Sequence, residues 1–155
     1  PNRIFDPSIW KVGNFYYALT AGQTSDGPGG KNVRAEFLHR SKDLANWEYQ
    51  HQFLEGDRYG MVGDDGACPY FWPIGDDNHI LIHYSHTGGG KWLLGDLDKK
   101  RMKFVVTDGG DFNHGPSGPG GVHAPSAYPD GKGGINVIFN MNPGFPSKGW
   151  NQLMS

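Results

Sequence analysis

The side chains of this chain that could do chemistry are its carboxylates, one thiol and a set of histidines. Asp64 and Asp65 stand side by side in Gly63-Asp64-Asp65-Gly66, just ahead of Cys68-Pro69. Two like charges sharing a site cannot both ionise cheaply, so one of such a pair keeps its proton to higher pH and becomes a candidate proton donor. Asp6 precedes Pro7, a pairing that also makes turns in any β protein. Cys68 is the single cysteine, which excludes an internal disulfide and a cysteine-based metal cluster. Nothing around it suggests an activated thiolate, and it reads as a small buried residue behind the site. His79 and His83, two of the seven histidines, share one face of a strand but lie about 13 Å apart along it, too far to hold one ion. No metal site is expected from them.

The elements that must position these residues are strands. Helical periodicity is nearly absent; residues 41–47 alone could make a turn, and Gly or Pro interrupts most longer windows. Short runs rich in aromatic and β-branched residues predict strands at 8–10, 15–21, 35–40, 47–54, 69–74, 79–85, 92–97, 103–107, 124–128, 135–140 and 150–154. Turn chemistry separates them, as at Val12-Gly13-Asn14, Gly75-Asp76-Asp77-Asn78 and Asp130-Gly131-Lys132-Gly133-Gly134. Asp6-Pro7-Ser8-Ile9-Trp10, Cys68-Pro69-Tyr70-Phe71-Trp72 and Ala124-Pro125-Ser126-Ala127-Tyr128 share the form x-Pro-x-x-aromatic. Their prolines are 62 and 56 residues apart, a period suited to repeats built on four-stranded sheets, such as propeller blades. Innermost strands of such blades begin beside a central channel, so the three repeat starts would converge on one pocket. Trp10 and Trp72 then belong to the packing between blades.

Composition agrees with many short strands joined by tight turns. The chain has 155 residues, 36% hydrophobic and 14% aromatic, enough for one sizeable core. Its 25 glycines and 11 prolines alternate with apolar runs and form no low-complexity tract. A net charge of −2 with scattered Lys and Arg leaves no basic field for nucleic acid. The longest apolar stretches fall far short of the roughly 20 residues that cross a bilayer, so no membrane partner is expected. Both ends read as cut, so residues 1–155 read as one domain or a piece of one.

With these motifs laid out, the chain resembles the family 32 glycoside hydrolases, the invertases, levanases and inulinases. Arg40-Ser41-Lys42-Asp43-Leu44-Ala45-Asn46-Trp47 is similar to that family's Arg-Ser-Lys-Asp-Leu-x-x-Trp segment, and Phe5-Asp6-Pro7 sits where Arg-Asp-Pro is expected. Cys68-Pro69-Tyr70-Phe71-Trp72-Pro73-Ile74 resembles the segment after the catalytic Glu. Leu93-Leu94-Gly95-Asp96-Leu97-Asp98, His123-Ala124-Pro125-Ser126 and Gly149-Trp150-Asn151-Gln152-Leu153-Met154-Ser155 complete the order. The resemblance implies an all-β fold, a five-bladed propeller of which this chain holds about two blades and part of a third. It also implies a retaining hydrolase of sucrose or fructan that needs no cofactor and works in a secreted or periplasmic setting.

The roles implied by the resemblance fall on a few residues. Asp6 inherits the carboxylate that binds fructosyl hydroxyls and stabilises the transition state, and Cys68 and His123 are expected to contact substrate. Retaining hydrolysis needs a nucleophilic carboxylate and a protonated carboxyl about 5 to 5.5 Å from it. The family's nucleophile lies in an Asn-Asp-Pro-Asn motif that is not found in these residues. Phe5 replaces the family's Arg, and Ala67 stands where the acid Glu usually precedes Cys-Pro. Asp65, two residues from Ala67, keeps side-chain parity on a strand and is expected on the same face, with Gly63 and Gly66 letting the backbone approach substrate. Asp65 is therefore the first candidate for the acid and Asp64 the second. Loss of the Glu also admits a non-catalytic sugar-binding propeller, or a related five-bladed glycosidase acting on other sugars.

Overall fold

A computed structural model describes residues 4–112, 121–142 and 152–154, without the side chains of residues 121, 123, 141, 142 and 152–154. Apart from a single 3-10 turn at Pro28–Gly30, regular structure among the described residues is all strand. The first sheet contains β1 (Ile4–Val12), β2 (Phe15–Thr24), β4 (Phe37–Ser41) and β5 (Glu48–Gln52) in that order, with β3 (Val33–Arg34) pairing the end of β2. The second sheet runs β7 (Ala67–Ile74), β8 (Asn78–Ser85), β9 (Gly89–Asp98) and β10 (Lys103–Asp111). A short strand, β6 (Leu54–Glu55), lies parallel to β10 on its outer edge. β11 (Gly121–Pro129), β12 (Ile135–Asn142) and β13 (Gln152–Met154) form a third, antiparallel sheet.

Up-and-down pairing of sequential strands follows from the turns. Val12 pairs Phe15 across the two residues Gly13 and Asn14, and Gly13 sits at φ 58, as a two-residue hairpin turn requires. The predicted strands appear, longer at most ends, except that 47–54 breaks at Phe53 into β5 and β6 of different sheets and that residues 150 and 151 of the last prediction lie outside the described residues. β3 is an addition that neither alternation nor length announces. The segment 41–47 makes no helical turn because Leu44 takes φ 64, which reverses the chain. There Ser41 Oγ accepts the Leu44 N–H at 2.9 Å, and Asp43 Oδ1 accepts those of Ala45 and Asn46 at 2.9 and 2.8 Å. These bonds hold the Asp43 carboxyl well below its usual range. The Arg-Ser-Lys-Asp-Leu run is thus the turn between β4 and β5.

The weak sequence repeat has a backbone counterpart. Asp6, Cys68 and Ala124 have φ 48, 51 and 48, each directly before its proline. Each sits in a register shift of the first strand of its sheet, between Phe5 and Ser8, Ala67 and Tyr70, and His123 and Ser126. β7 packs against β1 on one side and β11 on the other, so the three first strands stand side by side, as consecutive propeller blades place them.

The main core fills the space between the first two sheets: Leu19, Leu38, Phe53, Phe71, Leu81, Leu93, Phe104 and Val106, with Trp10 packed on it. A second cluster of Ile80, Ile82 and Ala127 joins the second sheet to the third. There Trp72 Nε1 donates to Ala127 O at 2.6 Å. Trp10 and Trp72 therefore occupy the packing positions between sheets expected of them.

Candidate functional site

The left-handed bulge at Asp6 turns its carboxylate onto the neighbouring sheet. Asp6 Oδ2 accepts the Cys68 N–H at 3.0 Å and lies 3.5 Å from Cys68 Sγ. Equivalent residues of two repeats, 62 positions apart, are joined directly, and Asp6 remains exposed. Burial, then the Asp6 charge beside it, pushes the half-buried Cys68 thiol up to about 12. Cys68 is therefore a neutral donor to Asp6 and no nucleophile. Ala124 marks the third repeat start, and the side chain of His123 lies outside the described residues.

Residues 63–66 do not continue the strand. Gly63 and Gly66 have φ 89 and 62, and β7 starts only at Ala67, so strand parity does not place Asp65 on the face of residue 67. Ala67 turns its methyl inward, 1% exposed. Asp64 is fully buried; Oδ2 accepts the Met61 N–H at 3.1 Å and stands 3.6 Å from the Arg34 guanidinium. A carboxylate so enclosed holds structure and does not reach a substrate, which argues against Asp64 as the acid. Asp65 is more open, and both of its oxygens engage His86: Oδ2 is 2.7 Å from Nδ1, and Oδ1 accepts the His86 N–H at 3.3 Å. The ring of Tyr84, which pairs Ala67 across the sheet, lies 5.0 Å from the His86 ring.

Beneath this segment is a buried polar network that motif reading missed. Arg34 donates from Nε and Nη2 to Asp57 Oδ2 at 3.0 and 2.6 Å, and from Nη1 to His83 Nε2 at 2.7 Å. His83 is neutral, its pKa lowered well below the usual value by burial first, then by Arg34 and Lys91. Glu36 is completely buried, and burial outweighs the lowering effect of Arg34 to raise its carboxyl to about 8. A side chain at Gly66 would collide with Glu36 Oε1, so this glycine makes room for Glu36 and not for a substrate. The signal in the sequence is the charged pair Arg34 and Glu36 beside the apolar run of β4. The three spaced histidines serve separate ends: His79 stacks on Phe71, His83 holds Arg34 and His86 holds Asp65.

The strand-start end of the sheets thus presents an exposed carboxylate, Asp6, and an imidazole held by a second carboxylate, Asp65. Both carboxylates act on the Cys68 thiol between them. A cavity of about 510 Å³ around Phe15, Arg40 and Trp47 belongs to the opposite, turn end of the first sheet. A smaller cleft of about 360 Å³, lined by Asp26, Glu36, Gln52 and Asp57 among others, lies at the strand-start end.

Among solved structures, the chain is similar to the Bombyx mori GH32 beta-fructofuranosidase BmSUC1, with 19% identity and a TM-score of 0.66. A mutant of that enzyme in complex with sucrose matches at 20% identity and a TM-score of 0.67. In both cases the match covers 91% of this chain and 30% of the other, so the chain spans under a third of the length of these relatives. The fold is shared. No protein-family model and no curated protein sequence matches the chain.

Proposed function

We propose that this chain is the segment of a family 32 glycoside hydrolase that carries the fructosyl-binding carboxylate and the proton-donating side of the site. The reaction is retaining cleavage of β-fructofuranosidic bonds in sucrose or a fructan, with the nucleophile supplied by residues outside this segment. The observation that carries the reading is the Asp6–Cys68 junction. In the family order, the Asp of Arg-Asp-Pro and the Cys-Pro segment line one pocket, and here Asp6 Oδ2 and the Cys68 N–H meet at 3.0 Å. Because Asp6 stays exposed, one oxygen can be held by β7 while the other accepts sugar hydroxyls. Asp65, with His86 held against it, stands on the proton-donating side. A secreted or periplasmic setting and a five-bladed ring belong to the same reading.

The test is release of fructose from sucrose, inulin and levan by the full-length protein and its Asp6→Asn variant. Charge-assisted hydrogen bonds to a sugar contribute about 1.5 to 3 kcal/mol, so Asp6→Asn should lower turnover by roughly 10- to 100-fold with the fold intact. Normal release by a folded Asp6→Asn protein would overturn the assignment.

One observation favours a second reading. Ala67 buries a methyl where the family's acid stands, which suits a propeller that binds fructan without cutting it. Calorimetric binding of a fructo-oligosaccharide with no fructose released would select that alternative.

A further inference from the structure

We propose that His86, clamped by Asp65, is the proton-transferring group of this site and takes the place of the carboxylic acid that Ala67 does not provide. The inference rests on the hydrolase reading above and sharpens it. An N–H donates and a carboxylate accepts, so the 2.7 Å contact places the proton of His86 on Nδ1, aimed at Asp65 Oδ2. The second Asp65 oxygen takes the backbone N–H of the same residue, which fixes the residue at two points. The free ring nitrogen, Nε2, is then the one available to a substrate. This is the arrangement in which a carboxylate orients an imidazole for acid–base work.

Exposure decides which member of the pair meets a substrate. The His86 side chain is 66% exposed and that of Asp65 19%, so a glycosidic oxygen reaches the imidazole and not the carboxylate. Position points the same way: Tyr84, in ring contact with His86, is the cross-strand partner of Ala67. Among the described residues, the charged and titratable groups around the pair are Asp65 itself, Tyr84 on β8, Cys68 on β7 with Asp6 beyond the thiol, and the buried Glu36 ahead of β4. Asp65 is accordingly a positioning residue and His86 the catalytic one.

The step balances with water and the carboxylate nucleophile of the retaining reading. That carboxylate bonds to the anomeric carbon as the bond to the leaving oxygen breaks; both bonding electrons stay with that oxygen, and the imidazolium Nε2–H passes it a proton, giving a neutral alcohol. Water then displaces the carboxylate from the anomeric carbon, and the neutral imidazole takes the proton that this water gives up.

The experiment uses the full-length protein on sucrose and on 4-nitrophenyl β-fructofuranoside, whose leaving group needs little protonation. His86→Gln is expected to lower kcat on sucrose by about 100- to 1000-fold, to spare the aryl substrate and to abolish the basic limb of the pH–rate profile. Added imidazole is expected to restore sucrose cleavage to His86→Gly. Asp65→Asn keeps the shape of the clamp, and should shift that limb with a loss of about 10-fold; it reads the same property if His86→Gln does not fold. Unchanged sucrose turnover in folded His86→Gln, or equal loss on both substrates, overturns the inference and leaves the Asp6 reading standing. Absence of fructose release by the unmodified protein overturns both.

Discussion

Glu36 is an acid kept out of water, and its protonation is linked to stability. The folded carboxyl holds its proton to about 8, against an ordinary value of 4.5. Between those values the folded protein binds a proton that the unfolded chain has released, so stability falls as pH rises from about 4.5 to 8 and levels off above. Glu36→Gln keeps the shape and removes the titration. It is expected to melt near the unmodified protein at pH 4.5 and higher than it at pH 8.5, by an amount on the order of a few kcal/mol. Thermal melts across that range check it; parallel curves for the two proteins would refute it. Gly66→Ala should destabilise at every pH, since it both strains a left-handed residue and strikes Glu36. At this scale Asp6 and Asp65 stand out in the sequence as carboxylates beside turn residues, and the roles proposed for them come from the resemblance. Glu36, Arg34 and His83 do not stand out, because a buried charge is marked by its partners, and those of Arg34 lie from 23 to 49 positions away.

Strands were the most legible elements, since alternation and turn residues record them locally. Their bulges were not, because Cys68 and Ala124 have side chains that do not ordinarily choose positive φ. Only the recurrence of a following proline hinted that one backbone device is used three times. If the left-handed conformation is imposed by packing, its strain should respond to side-chain shape at that residue. Ala124→Gly is expected to be neutral or slightly stabilising, relief of strain being offset by the freer unfolded chain. Ala124→Val, β-branched, should cost about 2 kcal/mol. Denaturant midpoints of the two variants test this, and equal midpoints would show that no strain is held there. The 41–47 turn is the converse case. Its residues suit both a helical turn and a family motif, while Ser41 and Asp43 use their side chains to cap backbone N–H groups, a competition with helix that short polar residues favour.

Across the molecule, cohesion depends on contacts between sheets that no local window displays. Phe53 leaves the first sheet and enters the second: its N–H donates to Glu36 O at 2.7 Å and its carbonyl accepts the Phe104 N–H at 2.9 Å. Its ring is fully buried, with centroids 4.9 Å from Phe71 and 6.1 Å from Phe104. Phe53→Ala should cost about 3 to 5 kcal/mol and lower the midpoint of both sheets together, seen as coincident shifts of tryptophan fluorescence and far-UV circular dichroism. Two separated transitions would show that the sheets unfold independently. Directly after Phe53 comes the strap β6, and it imposes an order of events. Leu54 and Glu55 precede all four strands of the second sheet but pair with Phe104 and Val105 on the last of them, so they must wait until that sheet is built. Closing the strap is then the strand pairing of the second sheet with the longest loop to gather. Until it closes, the outer edge of β10 stands open to strands of other chains, which makes the interval before closure the time at which this protein is most prone to aggregate.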